Sequence, residues 1–212
     1  MTTFAHDLSK ARLVPVIRHP EHDIARAACE MLLEEGVGAL EITMSVPGAT
    51  DLIAELVARF PLATIGAGTV LTEMEAHNAL EAGSDFIVSP CWSDEVAQIV
   101  HNASMPYLPG AMTPGEVLHH WNGGAALVKV FPAEAAGGPS FIKALRSVFP
   151  AIPLMPTGGV SPANTQLYLD AGATCVGMGG QLLPAHALER GDVVGARAQI
   201  LAAIQADHPQ PL

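Results

Sequence analysis

The sequence LVKVFPAEAAGG, residues 127–138, contains a charged residue inside an apolar run. The apolar residues around it are typical of a buried strand, yet Lys129 lies in the middle of them. Lysine is among the residues least often fully buried, and an unpaired buried ammonium is so costly that the neutral form is favoured instead. The stretch therefore predicts a buried strand. Lys129 on this strand is a candidate functional residue.

Seven other short apolar runs bounded by glycine or proline resemble this one. They are LVPVIR from residue 13, ALEITM from 39, ATIGAGTV from 63, FIVSP from 86, PYLPG from 106, LMPTGG from 154 and CVGMGG from 175. The mean spacing of all eight is about 23 residues, which is the length of one compact βα unit. Eight such units predict a closed barrel of parallel strands.

Helical patterns lie between these strands. Residues 23–36 predict a helix that ends at Gly36, and residues 161–172 predict another with Ser161 as N-cap and Pro162 as its first residue. We therefore expect a single (β/α)8 TIM barrel, with an open doubly wound sheet as the alternative.

The limits of this barrel can also be predicted. One domain is expected to span residues 1–212, with an additional helix at residues 2–12 and a flexible end at 207–212.

The charge and composition of the chain exclude several classes of partner. The 212 residues carry a net charge of -11 and only ten Lys and Arg, which argues against nucleic acid and anionic membranes. A small molecule is the expected partner. The chain begins without a signal-peptide pattern, so we expect a cytoplasmic protein. The three widely spaced cysteines favour reduced thiols rather than disulfides or a zinc site, and Cys91 is expected to be a small buried residue.

In barrels of this kind the reactive groups lie at the C-terminal ends of the strands. Alternation along the strand at 39–44 directs Leu40 and Ile42 outward, and directs Glu41, Thr43 and Ser45 into the barrel. The same alternation directs Lys129 inward. Glu41 and Lys129 are therefore expected to share the barrel interior.

Two interpretations of this pair remain open. In the first, Glu41 and Lys129 form a structural ion pair that gains little stability. In the second, burial and a nearby cation, Arg18 at the end of the first strand, favour the neutral amine of Lys129. A neutral amine attacks a ketone to form a Schiff base, and Glu41 would carry the protons that the steps require.

Two glycine pairs predict a binding site for phosphate. Gly158-Gly159 and Gly179-Gly180 follow the seventh and eighth strands, where barrels of this type commonly bind phosphate through backbone N–H groups. Glycine pairs also form ordinary tight turns. The nine histidines show no metal-ligand spacing, since His119 and His120 are adjacent, so no metal is expected.

The motifs EITMSVP, GAGTVLT, FIVSPC, YLPGAMTP, VKVFPAE and PTGGVSP occur in this order at the predicted strand ends. Together they resemble the class I aldolases of 2-keto-3-deoxy-6-phosphogluconate (KDPG) and 4-hydroxy-2-oxoglutarate (KHG). The resemblance extends from Leu13 to about Leu183. It implies a homotrimer, a 2-keto acid substrate and no cofactor.

The resemblance also implies roles for individual residues. Lys129 matches the Schiff-base lysine of the K-x-F-P motif, and Glu41 matches the general acid/base glutamate. Thr69, Pro90 and Phe131 match the wall of the pyruvate pocket.

The chain departs from the family pattern at two positions. Ser45 stands where many members have an arginine, but one branch of the family instead has an arginine ending the first strand, as Arg18 does. We infer that Arg18 contacts the substrate carboxylate, for which a guanidinium fork is suited. Gly180 stands where members commonly have a serine that helps to hold phosphate, which leaves backbone N–H groups, Gln181 or a different distal group as alternatives.

The resemblance implies cleavage of KDPG to pyruvate and glyceraldehyde 3-phosphate, and also of KHG to pyruvate and glyoxylate. The first alternative is the same chemistry on the galactonate epimer, whose aldolases share the first-strand arginine. More distant alternatives are an isomerase or decarboxylase in which Lys129 stays non-covalent, and a sugar-acid sensor without turnover.

Overall fold

A computed structural model describes residues 3–182, 185–192, 194, 195, 197, 198, 200 and 202. The strands are β1 (Leu13–Ile17), β2 (Ala39–Thr43), β3 (Thr64–Gly68), β4 (Ile87–Ser89), β5 (Tyr107–Ala111), β6 (Val128–Val130), β7 (Leu154–Pro156) and β8 (Val176–Met178). The described helices are α1 (Thr3–Ala11), α2 (His22–Glu34), α3 (Ala49–Arg59), α4 (Glu73–Glu81), α5 (Asp94–Asn102), α6 (Pro114–Asn122), α7 (Gly138–Val148), α8 (Thr165–Asp170) and α9 (Ala185–Glu189).

The eight strands are parallel and form one sheet in the order β7-β6-β5-β4-β3-β2-β1-β8. A parallel bridge between Thr157 and Gly177 joins the two ends of this order, just beyond β7 and on β8. The sheet therefore closes into the predicted (β/α)8 barrel, and the alternative of an open doubly wound sheet is wrong.

Two apolar layers pack on the two faces of the sheet. Outward residues such as Leu40, Ile42 and Val128 pack in the larger layer, between the sheet and the helices. Inward residues such as Leu127 pack in a smaller layer inside the barrel. The alternation predicted for β2 and β6 is thus confirmed.

Helix α1 covers the floor of the barrel. Leu8 is buried within the interior layer, Phe4 and Ala11 pack against it, and the ring centroids of Phe4 and Phe86 are 5.5 Å apart. The additional N-terminal helix is confirmed, and the interior is closed by apolar side chains at the N-terminal ends of the strands.

The helix predicted from Ser161 begins later than expected. Asn164 is the N-cap of α8, and residues 162–164 form a turn in which the backbone N–H of Asn164 donates to the carbonyl of Ser161. The Asn164 side chain stabilises this turn, because its Oδ1 accepts from Ser161 N (2.8 Å) and its Nδ2 donates to Gly159 O (2.9 Å). The Ser161 N-cap and the Pro162 helix start were therefore wrong, and no helix begins directly after Gly159.

The end of α2 agrees with the sequence analysis, whereas the burial of Cys91 does not. Helix α2 ends at Glu34, and Gly36 follows with φ of 84°, the left-handed conformation that favours glycine after a helix. Cys91 is exposed rather than buried. The flexible end predicted at residues 207–212 lies outside the described residues. Among the described helices, none is long and apolar enough to cross a membrane.

Candidate active site

A cavity of about 440 Å³ opens at the C-terminal ends of the strands. Of the ten residues predicted for the site, nine line this cavity: Arg18, Thr69, Pro90, Lys129, Phe131, Gly158, Gly159, Gly179 and Gly180. The tenth, Glu41, lies beside Lys129 inside the barrel. The lining of the cavity thus comes from the ends of six strands, all except β2 and β5. Such a meeting of strand ends at one opening is what the barrel topology requires.

Glu41 and Lys129 meet in the interior of the barrel. They stand on β2 and β6, which are four strands apart in a barrel of eight and so face each other across it. Lys129 Nζ lies 3.5 Å from Glu41 Oε1, and the two residues are 6% and 0% exposed. Within the described part of the chain, Glu41 Oε2 has no hydrogen-bond partner, so this oxygen is available to accept a proton.

Glycines on neighbouring strands make room for this pair. A methyl group at Gly68 of β3 would clash with the Glu41 carboxylate, and one at Gly110 of β5 would clash with the backbone carbonyl of Pro90. Gly110 is also the residue that pairs with Lys129 in the sheet. Side chains at these positions would displace the groups that the cavity needs, which is why glycine occurs at residue 68 of β3 and residue 110 of β5.

Arg18 reaches over the rim of the cavity and is held by hydroxyl groups. One guanidinium nitrogen donates to Thr69 Oγ1 (2.8 Å) and the other terminal nitrogen donates to Ser45 Oγ (3.1 Å). Among the described side chains, no carboxylate lies within ion-pair distance of Arg18. Its charge is therefore available for an anionic ligand in the cavity.

Thr69 has an unusual backbone conformation. Its φ is 57°, which is a genuine outlier for a β-branched residue. Such strain persists only where the surrounding structure holds it, and it occurs preferentially at functional sites. The Thr69 hydroxyl oxygen accepts a hydrogen bond from Arg18. Its proton is therefore available to donate to an acceptor in the cavity, which Thr69 lines.

Two glycine loops form the side of the cavity next to β7 and β8. Gly158 and Gly159 have φ of 92° and 79°, so their conformation favours glycine. No acceptor is found within the described residues for the backbone N–H groups of Gly159, Gly179 or Gly180. Free backbone N–H groups in adjacent loops suit an anion such as phosphate. Gln181 lines the same part of the cavity.

Comparison with known proteins agrees with this geometry. Residues 5–198 match the family model described as "KDPG and KHG aldolase". The KHG/KDPG aldolase of Escherichia coli K12 is 36% identical over 186 residues, which cover 87% of each chain. This chain belongs to the KDPG/KHG aldolase family.

Two solved structures are similar to this aldolase over almost its whole length. KDPG aldolase from Legionella pneumophila, solved with pyruvate captured as a covalent carbinolamine, has a TM-score of 0.83 and 32% identity, covering 94% of this chain and 96% of its own. A structure described as native KDPGal has a TM-score of 0.80 and 31% identity, covering 93% and 96%. The enzyme is accordingly an aldolase, which is a lyase.

Sequence reasoning missed three residues of the aldolase cavity, the apolar Val16 and Val160 and the polar Thr157. Thr157, directly before the glycine pair, is buried and lines the cavity, and its Oγ1 has no hydrogen-bond partner among the described residues. The signal was present, because Met155 faces the barrel interior and Thr157, two residues later, shares its face. The side chain fits beside β8 because Gly177 offers no Cβ there.

Two cysteines and one histidine outside the cavity of the aldolase are buried in packing. Burial raises the pKa of the Cys175 thiol to about 12 and also raises that of Cys29, so neither supplies a thiolate near neutral pH. His120 is buried and stacks on Trp92 with ring centroids 5.3 Å apart, whereas His119 is exposed. Within the described residues, no group of three or more side chains of metal-binding type is assembled.

Proposed function

We propose that the enzyme is a class I aldolase that cleaves KDPG to pyruvate and glyceraldehyde 3-phosphate through a Schiff base on Lys129. The observation that carries this proposal is the buried Lys129, whose amine faces one buried carboxylate at the base of an open cavity. A structural ion pair has no need of a cavity above it. The resemblance of this chain to an aldolase captured as a carbinolamine with pyruvate supports the same chemistry.

The reaction follows from the positions of these two groups. The Lys129 amine attacks the C2 ketone to give a carbinolamine, which loses water to give a protonated imine. Glu41 accepts the proton of the C4 hydroxyl as the C3–C4 bond breaks, and the electron pair of that bond passes to the iminium as an enamine. The aldehyde leaves, Glu41 returns a proton to C3, and water hydrolyses the resulting pyruvate imine.

Arg18 and Thr69 are proposed to hold the substrate carboxylate. Arg18 has no carboxylate partner among the described residues, and the Thr69 hydroxyl proton has no acceptor there. A guanidinium and a hydroxyl donor side by side fit the two oxygens of a carboxylate. Pro90 and Phe131 supply apolar walls around the three-carbon unit, and the Phe131 ring centroid lies 5.5 Å from Lys129 Nζ.

The distal phosphate is proposed to lie against the two glycine loops. The backbone N–H groups of Gly159, Gly179 and Gly180, which have no acceptor among the described residues, are the donors there, with the Gln181 amide beside them. The described cavity lining contains no cation other than Arg18 and Lys129, so backbone donors carry the phosphate interaction.

Adding a hydroxyl to this subsite tests where the phosphate lies. A side chain at Gly180 would meet nothing within 4 Å, and its φ is not positive, so we expect Gly180→Ser to fold normally. An added charge-assisted hydrogen bond is expected to lower KM for KDPG by about tenfold and to leave the affinity for pyruvate unchanged. Steady-state kinetics with both compounds gives this comparison.

Gly115→Ser is the matched control, because a side chain at Gly115 in α6 also meets open space and Gly115 does not line the cavity. An unchanged or raised KM for KDPG in Gly180→Ser, with Gly115→Ser unaffected, would move the phosphate away from this loop.

KHG is proposed as a second substrate, cleaved to pyruvate and glyoxylate. The same imine chemistry applies to it, since only the group beyond C4 differs. The Escherichia coli relative carries both names, KHG and KDPG aldolase, which supports this reading.

A specific observation also favours the galactonate epimer of KDPG as substrate. Arg18, directly after β1, lines the cavity in this enzyme, and the structure described as native KDPGal is nearly as similar as that of the Legionella aldolase. The two substrates differ at one stereocentre. Comparing kcat/KM for the two epimers decides between them.

Borohydride reduction in the presence of pyruvate is the experiment that tests the proposal. We expect a stable adduct, and peptide mass mapping is expected to place the reduced pyruvyl group on Lys129. Absence of an adduct from folded enzyme at saturating pyruvate would overturn the Schiff-base mechanism and favour a non-covalent Lys129, as in an isomerase or decarboxylase.

A homotrimer is proposed from the family resemblance. Three exposed apolar side chains are candidates for a subunit contact: Leu71 in the loop after β3, Met74 on α4 and Met112 directly after β5. Sedimentation equilibrium distinguishes a trimer of 22.0 kDa chains from a monomer.

A further inference from the structure

Arg18 belongs to a ring of hydrogen bonds in which every donor can be assigned. Thr43 Oγ1 donates to the carbonyl oxygen of Ile17 (3.0 Å), and this uses its only proton. Ser45 Oγ, 2.9 Å away, must then donate to Thr43 Oγ1. The guanidinium of Arg18 only donates, so Ser45 Oγ accepts from it. The ring runs from Arg18 through Ser45 and Thr43 to the carbonyl immediately before Arg18.

The members of this ring lie at different depths. Thr43 is fully buried at the end of β2, whereas Ser45 is exposed at the mouth of the barrel. Thr69 Oγ1 accepts from the second terminal nitrogen of Arg18 (2.8 Å). Both arms of the guanidinium are therefore held by hydrogen bonds, although the side chain itself is exposed and would otherwise occupy many rotamers.

We propose that Thr43 is a positioning residue that orients Arg18 for the carboxylate of the 2-keto acid without touching the substrate. Its buried hydroxyl joins the backbone of β1 to Ser45, and Ser45 in turn fixes the fork of Arg18. This inference rests on the proposed function, in which Arg18 binds the carboxylate. Because the proton of Ser45 is already used, the Thr69 hydroxyl rather than Ser45 donates to the ligand.

Thr43→Val removes the hydroxyl and keeps the shape of the side chain. We expect the pyruvate Kd from calorimetry, and KM for the aldol substrate, to rise about tenfold with kcat changed by less than about twofold. This split is expected because the change affects binding of the carboxylate rather than the reacting carbons. Thr43→Ser keeps the hydroxyl and is expected to restore the wild-type Kd.

Thr165→Val is the matched control. Thr165 is equally buried and its Oγ1 also donates to a backbone carbonyl, that of Ser161 (2.9 Å), but it does not line the cavity. Thr165→Val is expected to lower the thermal unfolding temperature about as much as Thr43→Val does, and to leave the pyruvate Kd unchanged. A general loss of stability is thereby separated from loss of positioning.

The ring also predicts coupling between Thr43 and Arg18. In an Arg18→Lys background, which cannot form the two-armed contact, Thr43→Val is expected to have little further effect on the pyruvate Kd. An unchanged Kd in Thr43→Val alone, or the same tenfold rise in both backgrounds, would overturn the proposal. The Schiff-base proposal can fail separately from this one. If it is wrong, wild-type enzyme gives no borohydride adduct, whereas calorimetry still measures the effect of Thr43→Val on the pyruvate Kd.

Discussion

Replacing Lys129 with methionine is expected to lower kcat for aldol cleavage by at least about 10⁴-fold. The amine is the only nucleophile in the proposed mechanism, and no other lysine lines the described cavity. The borohydride adduct with pyruvate is expected to disappear in the same variant. Mass spectrometry of the reduced protein and a coupled assay for pyruvate release measure the two effects.

Loss of activity in this variant must be separated from loss of the fold. Methionine leaves the fully buried Glu41 without its cation, and an unpaired buried charge costs about 3–5 kcal/mol unless the carboxyl group takes up a proton. Lys129→Arg keeps the charge and cannot form an imine, so we expect it to be inactive with smaller destabilisation. Circular dichroism and thermal unfolding report on the fold of both variants.

Lys143→Met serves as the matched control, because Lys143 is exposed on α7 and does not line the cavity. It is expected to retain wild-type turnover. Appreciable turnover by folded Lys129→Arg, or an adduct on another residue, would remove Lys129 from the mechanism.

The second large effect is expected from Glu41→Gln, with kcat reduced by about 10²–10⁴-fold. Glutamine keeps the size of the side chain and the contact with Lys129 but cannot accept the C4 hydroxyl proton or return one to C3. Imine formation is expected to continue, so borohydride still traps pyruvate on Lys129. The variant therefore separates formation of the imine from the proton transfers that follow it.

Exchange of pyruvate methyl protons in deuterated water isolates the role of Glu41. This exchange requires a base at C3 but no aldehyde, and we expect it to be lost in Glu41→Gln while the adduct persists. Glu73→Gln, on the exposed surface of α4, is the control. Normal exchange in Glu41→Gln would assign the proton transfers to another group, such as the Thr157 hydroxyl at the edge of the cavity.

Much of the barrel and the site could be predicted from local patterns. The period of two along parallel strands placed Glu41 and Lys129 on the inner face, and the spacing of the apolar runs predicted eight strands. That the two side chains meet at 3.5 Å could not be predicted, because the distance depends on closure of the sheet and on glycines in neighbouring strands.

The errors arose where loops rather than strands decide the conformation. The start of α8 depends on the Asn164 side chain folding back on Gly159, and periodicity carries no such information. The ring through Thr43 and Ser45 likewise depends on the path of the loop after β2. The inward face of Thr157 follows from that of Met155, two residues earlier, although its place in the cavity lining was not predicted.

The apolar floor beneath Lys129 has a kinetic consequence. Because α1 closes the barrel from below, every reactant and product uses the same opening. In the proposed mechanism the covalently attached three-carbon fragment lies deepest and the aldehyde lies between it and solvent. Release is then ordered, with aldehyde first and pyruvate last. We therefore expect pyruvate to inhibit competitively against the sugar acid, and the aldehyde to inhibit non-competitively.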